Sequence, residues 1–143
     1  MSTGTRVPLA VGVTVALEIG GQLALGCSHV EIAGSIRRRS ADVGDIELAA
    51  VPRIETVKDG MFDQIGVNRL TERIDMLVGA GIMAPHPDDP KRGERYSKMI
   101  DPQSGLQVDI FSASPQTYGL ILLIRTGPAA YSQRFVTDLH DRA

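Results

Sequence analysis

Asp45 and Glu47 stand two positions apart in the run D-I-E-L-A-A-V, alternating with Ile46 and Leu48. Side chains on a strand alternate faces, so both carboxylates share one face while Ile46 and Leu48 enter a core. Two carboxylates on one face repel unless a cation lies between them. Oxygen ligands at this spacing suit Mg²⁺, which leaves its remaining positions to phosphate and water. Just upstream, G-S-I-R-R-R-S places a Gly-Ser turn ahead of three arginines. Gly34 and Ser35 let backbone N–H groups and a hydroxyl approach an anion closely. Arg38 adds a planar fork that binds phosphate oxygens. Together these residues describe a site for a metal-bound polyphosphate; the other reading is a surface strand with solvated charges after a basic turn.

A third carboxylate follows later in the chain. In L-Q-V-D-I-F, Leu106, Val108 and Ile110 alternate with Gln107 and Asp109, so Asp109 lies on the polar face of a second strand. If that strand pairs beside the one bearing Asp45 and Glu47, the three carboxylates converge. Before it, K-R-G-E-R-Y-S-K (Lys91 to Lys98) sets four cations against Glu94, with Tyr96 among them. This segment is either a solvated hairpin or a nucleic-acid surface in which Tyr96 offers a stacking face to Arg92, Arg95 and Lys98 and to a base.

The elements that must hold these residues read as follows. Val7 to Leu25 is strongly apolar, but Glu18 and Gln22 interrupt it and it is short for a bilayer span. With Pro8 at its start and Gly26 at its end, it reads as a buried helix packed through Leu9, Val13, Leu17 and Gly20 rather than a signal peptide. His29 to Ala33 reads as a short strand with His29 and Glu31 solvated at a sheet edge. Pro52 ends the strand of Asp45 and Glu47. Residues 53 to 66 carry no clear period. A helix is expected from about Asn68, with Leu70, Ile74, Leu77 and Val78 on one face and Gly79 and Gly81 closing it. P-H-P-D-D-P, from Pro85 to Pro90, is a loop, and His86 is a loop residue rather than a metal ligand.

The motifs resemble the signature of the X-family, DNA polymerase beta-like nucleotidyltransferases, in which Gly-Ser, an Arg-Arg pair and Gly-Asp-x-Asp occur at this spacing. Here Arg39 stands where the family has glycine, and Glu47 stands for its second aspartate. V-D-I falls where the family's third aspartate lies, and Y-G-L-I-L-L-I-R-T-G resembles its last palm helix and Thr-Gly turn. The likeness runs along nearly the whole chain and is greatest to small bacterial and phage members.

The resemblance implies an α+β fold: a nucleotidyltransferase palm, with a mixed or antiparallel twisted sheet and helices packed on one side. The whole of 1–143 would be one such domain, lacking the family's lyase domain and with its thumb absent or truncated. It implies transfer of a nucleotidyl group from a deoxynucleoside triphosphate to a hydroxyl, as a DNA polymerase extending a primer. Asp45, Glu47 and Asp109 would hold two Mg²⁺ ions, with Mn²⁺ as a substitute. Gly34, Ser35, Arg38 and Gly44 would grip the phosphates, and Thr126 and Gly127 would face the nucleotide's sugar, with a cis bond between Gly127 and Pro128. Arg92, Arg95, Tyr96 and Lys98 would anchor DNA. Two alternatives remain: a nucleotidyltransferase acting on RNA, protein or a small molecule, and a non-catalytic palm that binds nucleotide or DNA.

Composition sets outer bounds. At 143 residues the chain suits one domain with a real core. A formal net charge of −2 excludes a global positive field for nucleic acid, so phosphate contacts must be local. One cysteine excludes an internal disulfide, fits a reducing compartment, and with it a cytoplasmic location. No Cys/His cluster suggests a structural zinc, no segment calls for a membrane, and a protein partner could replace the missing thumb.

Overall fold

The computed structural model describes residues 5–37 and 39–121, with the side chains of Ser35 and Arg37 excepted. The chain is mixed α+β. Its elements run β1 (Val7–Pro8), α1 (Leu9–Ala24), β2 (Cys27–Ala33), α2 (Gly34–Arg37), β3 (Asp42–Val43), β4 (Asp45–Pro52), β5 (Ile54–Asp59) and β6 (Asp63–Asn68). There follow α3 (Arg69–Gly79), β7 (Ala84–Pro85), β8 (Lys91–Arg92), β9 (Tyr96–Ile100) and β10 (Gln107–Ser112). The main sheet has the order β2-β4-β10-β9-β7, with β8 also on β9. Only the central pair, β4 with β10, is parallel; the pairs around it are antiparallel.

Alternation along β4 and β10 divides the sheet into two faces. Ile46, Leu48, Val108 and Ile110 are essentially inaccessible and form one core with Ala16, Ile19 and Leu23 of α1 and Leu70, Ile74 and Leu77 of α3. Full burial of each such side chain contributes about 1.5–3 kcal/mol, so this layer dominates the fold. On the opposite face Ala33 and Ala49 pack with Tyr118 and Ile121. The two long helices thus lie on one side, as expected, and a short helical stretch, 118–121, lies on the other.

The helical stripe of α1 is in part the expected one: Gly20 is buried and Leu9 and Val13 pack at the edge of the core, but Leu17 does not join them. Gly12, Ala16, Ile19, Gly20 and Leu23 are buried, whereas Leu17 is 38% exposed. An almost uniformly apolar helix does not announce its inner face, and here Gly12, Ala16 and Gly20 join the large Ile19 and Leu23 on the buried side. In α3 the expected face is the observed one, because its polar residues leave a single apolar stripe; Asn68 caps it by accepting from the Thr71 N–H at 3.0 Å. Residues 53 to 66 form most of a hairpin, β5–β6, which is a separate two-stranded sheet. No described helix is long and apolar enough to cross a membrane.

Glu31 is not solvated. It is fully buried, and His29 Nε2 lies 3.3 Å from its carboxylate. The edge position of β2 is as expected, but Tyr118 closes over its outer face, with its ring 4.7 Å from that of His29 in an edge-on arrangement. His86 is likewise buried in its loop, where Nδ1 accepts from the N–H groups of Asp88 and Asp89.

Candidate functional site

The parallel register sets Gln107 beside Asp45 and Asp109 beside Glu47. Since pleats of paired strands run in phase, all four polar side chains stand on the face opposite the helical core. Neighbouring strands lie about 4.8 Å apart, so Asp109 and Glu47 occupy adjacent backbone positions. Asp45 and Glu47 are half-buried and Asp109 is only 5% exposed.

Asp109 is held by its neighbours. The Gln107 side-chain amide donates to both of its oxygens at 3.0 Å, and the Tyr96 hydroxyl donates to one at 2.5 Å. Tyr96 also stacks on Phe111, with ring centroids 5.0 Å apart. Tyr96, read from sequence as a stacking surface for bases, thus has its ring against Phe111 and its hydroxyl on Asp109. Removal of Asp109 would leave the Gln107 amide without its acceptor.

Across the other neighbour, Lys98 is the register partner of Asp109 on β9. Lys98 is 5% exposed, and its ammonium reaches Asp89 at 3.2 Å. The hydrogen bond that Lys98 donates to Asp89 raises the Lys98 pKa, with the Asp89 and Asp109 charges adding to it. Lys98 therefore lies inside the polar face rather than on a surface shared with Arg92 and Arg95, which are exposed. Arg92 donates to Asp75 at 2.9 Å and to the Thr71 carbonyl, and Lys91 lies 3.6 Å from Asp89.

The Gly-Ser turn abuts the carboxylates. Gly34 begins α2 with φ +68°, a left-handed conformation that favours glycine, and a Cβ there would collide with the Glu47 carboxylate. Gly44 is buried beneath Arg6: a Cβ on it would come 2.9 Å from the Arg6 guanidinium, which donates to the Asp42 carbonyl at 3.3 Å. Pairing of β1 with β3 delivers Arg6 to the residue preceding Asp45. No local signal in the sequence marks Arg6, because that contact spans 36 positions and two short strands. Arg38, Thr126, Gly127 and the Gly127–Pro128 bond lie outside the described residues, as does the Ser35 side chain.

The donor set is entirely carboxylate oxygen, which suits a hard divalent cation such as Mg²⁺. Among the described residues, however, no three Asp, Glu, His or Cys side chains are gathered closely enough to hold a metal ion. The backbone brings Asp45, Glu47 and Asp109 to one face, while Gln107 and Tyr96 claim the Asp109 carboxylate. The chain matches no protein-family model, and no curated protein sequence matches it.

Proposed function

We propose that this chain is a nucleotidyltransferase with a polymerase beta-like palm, moving a nucleotidyl group from a deoxynucleoside triphosphate to the 3′ hydroxyl of a DNA primer. One observation carries the reading: two carboxylates of β4 and one of β10 share a sheet face beside a Gly-Ser turn that only glycine can make against Glu47. Asp45, Glu47 and Asp109 would hold the Mg²⁺ ions, whose contribution is to acidify the hydroxyl and to neutralise the charge on the departing pyrophosphate. The hydroxyl oxygen bonds to the α-phosphorus as the bond to the bridging oxygen breaks, and Asp109 accepts the proton. Gly34, Ser35 and Arg38 grip the β- and γ-phosphates, with Gly44 completing the turn ahead of Asp45 and Thr126–Gly127 against the sugar.

Asp109 must exchange the Tyr96 hydroxyl for this work. In the structure that hydroxyl and the Gln107 side-chain amide together fix the position of the carboxylate. The decisive assay mixes labelled dNTP and Mg²⁺ with primed DNA, gapped DNA, or no DNA. Incorporation that needs both metal and primer supports the reading, and its absence with every acceptor refutes it.

A second acceptor class has a specific observation in its favour. Lys98 is buried against Asp89, and Lys91 and Arg92 lie on Asp89 and Asp75 at the surface, so two carboxylates offset part of the segment's positive charge. Buried Lys98 is then withheld from a duplex, whose affinity depends steeply on the number of phosphate contacts. Transfer to an RNA end, a protein or a small molecule in the same assay, without transfer to DNA, would select this reading.

A further inference from the structure

The β5–β6 hairpin stands outside the main sheet and carries at its tip the most exposed apolar pair among the described residues. Met61 is 84% and Phe62 90% exposed, and Ile54 and Ile65 along the strands are also open to solvent. Asp59 and Asp63 flank the tip as register partners, directly opposite one another. Like charges facing across an antiparallel pair are destabilising, and a cation brought between them would relieve the repulsion. The tip is therefore an apolar knob in an acidic collar. That collar disfavours DNA and anionic lipid as its target, since both are negative.

The same chain carries a socket of the opposite kind. Between α3 and β7–β9 lies a cavity of about 200 Å³ whose apolar wall is Val78, Pro85, Pro90 and Met99, with Lys91, Arg92 and one carboxylate, Asp75, on its rim. The volume suits one aromatic ring. The rim cations are exposed: Lys91 lies on Asp89, and Arg92 on Asp75 and the Thr71 carbonyl, and such surface ion pairs are worth little and exchange readily.

We propose that two copies of this chain associate by seating the Met61–Phe62 knob of one in the Val78–Met99 socket of the other, with Lys91 and Arg92 entering between Asp59 and Asp63. Reciprocal insertion about a twofold axis uses both knobs and both sockets and closes the assembly as a dimer. A single knob buries too little for a stable interface, and the reciprocal pair doubles it. The inference is independent of the reaction proposed above.

Sedimentation velocity on the full chain, from about 1 to 200 µM, tests it. The expected result is a concentration-dependent dimer that Phe62→Ser weakens at least roughly tenfold. Met61→Ser serves as a second knob variant; both side chains are exposed, so melting curves should overlay the parent's. Lys91→Glu should weaken the dimer, and Asp63→Lys combined with it should restore association by reversing the pair. A parent monomeric throughout overturns the proposal, as does a dimer indifferent to Phe62→Ser. Failure of the charge reversal to restore association overturns the assignment of the socket.

Discussion

Gly34 lies directly against the Glu47 carboxylate, in a left-handed backbone conformation, so that no side chain fits at this position. Two independent penalties therefore meet in Gly34→Ala: φ strain and a collision with Glu47. The strain alone costs on the order of 1–3 kcal/mol. Urea unfolding should show at least that loss. Adding Glu47→Ala should recover only part of it, because the backbone strain remains; full recovery would mean that φ at Gly34 is of no consequence.

Asp109→Ala is expected to abolish nucleotidyl transfer and also to destabilise the fold by about 1–3 kcal/mol, since the buried Gln107 amide loses its acceptor. Asp109→Asn, which retains one acceptor oxygen, should keep more stability yet remain inactive. Turnover near the parental rate in either variant removes Asp109 from the chemistry.

The Asp89–Lys98 pair should shape the acid limb of stability. The Lys98 hydrogen bond, then the Lys91 and Lys98 charges, hold the Asp89 carboxyl below its usual 3.8. A folded-state pKa below the unfolded value means stability present above that unfolded value and lost as pH falls through the folded one. Lys98 has the converse sign: its pKa is raised above 10.5, so its contribution is complete below that value and is lost as pH rises past it. Asp89→Asn should accordingly flatten the fall in melting temperature from roughly pH 4 to pH 2. The Glu55–Arg69 pair, which lowers Glu55, persists in the variant and leaves a residual slope. Acid curves that run parallel for parent and variant would exclude a contribution from Asp89.

Cys27 should be inert in the native protein. Burial pushes its thiol up to about 12, against a smaller opposing pull from Arg53. At neutral pH the thiolate, the reactive form, is then nearly absent. A disulfide reagent at pH 8 should label Cys27 only at the rate of unfolding, with urea accelerating it. Rapid stoichiometric labelling without denaturant would contradict the burial.

The alternation D-I-E-L in β4 and Q-V-D-I in β10 was sufficient to fix which residues enter the core and which carboxylates face away from it, because a period of two leaves no freedom once a strand forms. Likewise the single apolar stripe and Asn68 cap of α3 are written locally. The α1 stripe was not, since nearly every residue of that helix is apolar and only the shape of the facing sheet selects which are buried. Nor was the fate of individual charges. Glu31 alternates with Val30 and Ile32 just as a solvated residue would, and Lys98 ends a basic run, yet Tyr118 shields the outer face of β2, and Asp89 meets Lys98. Arg6 over Gly44, Tyr96 on Asp109, and Asp109 beside Glu47 all join residues far apart in the chain. Periodicity specifies the face on which a side chain stands. Which neighbours occupy that face, and hence whether a charge is solvated, paired or held for a metal, depends on strand order and register, and those only the tertiary structure decided.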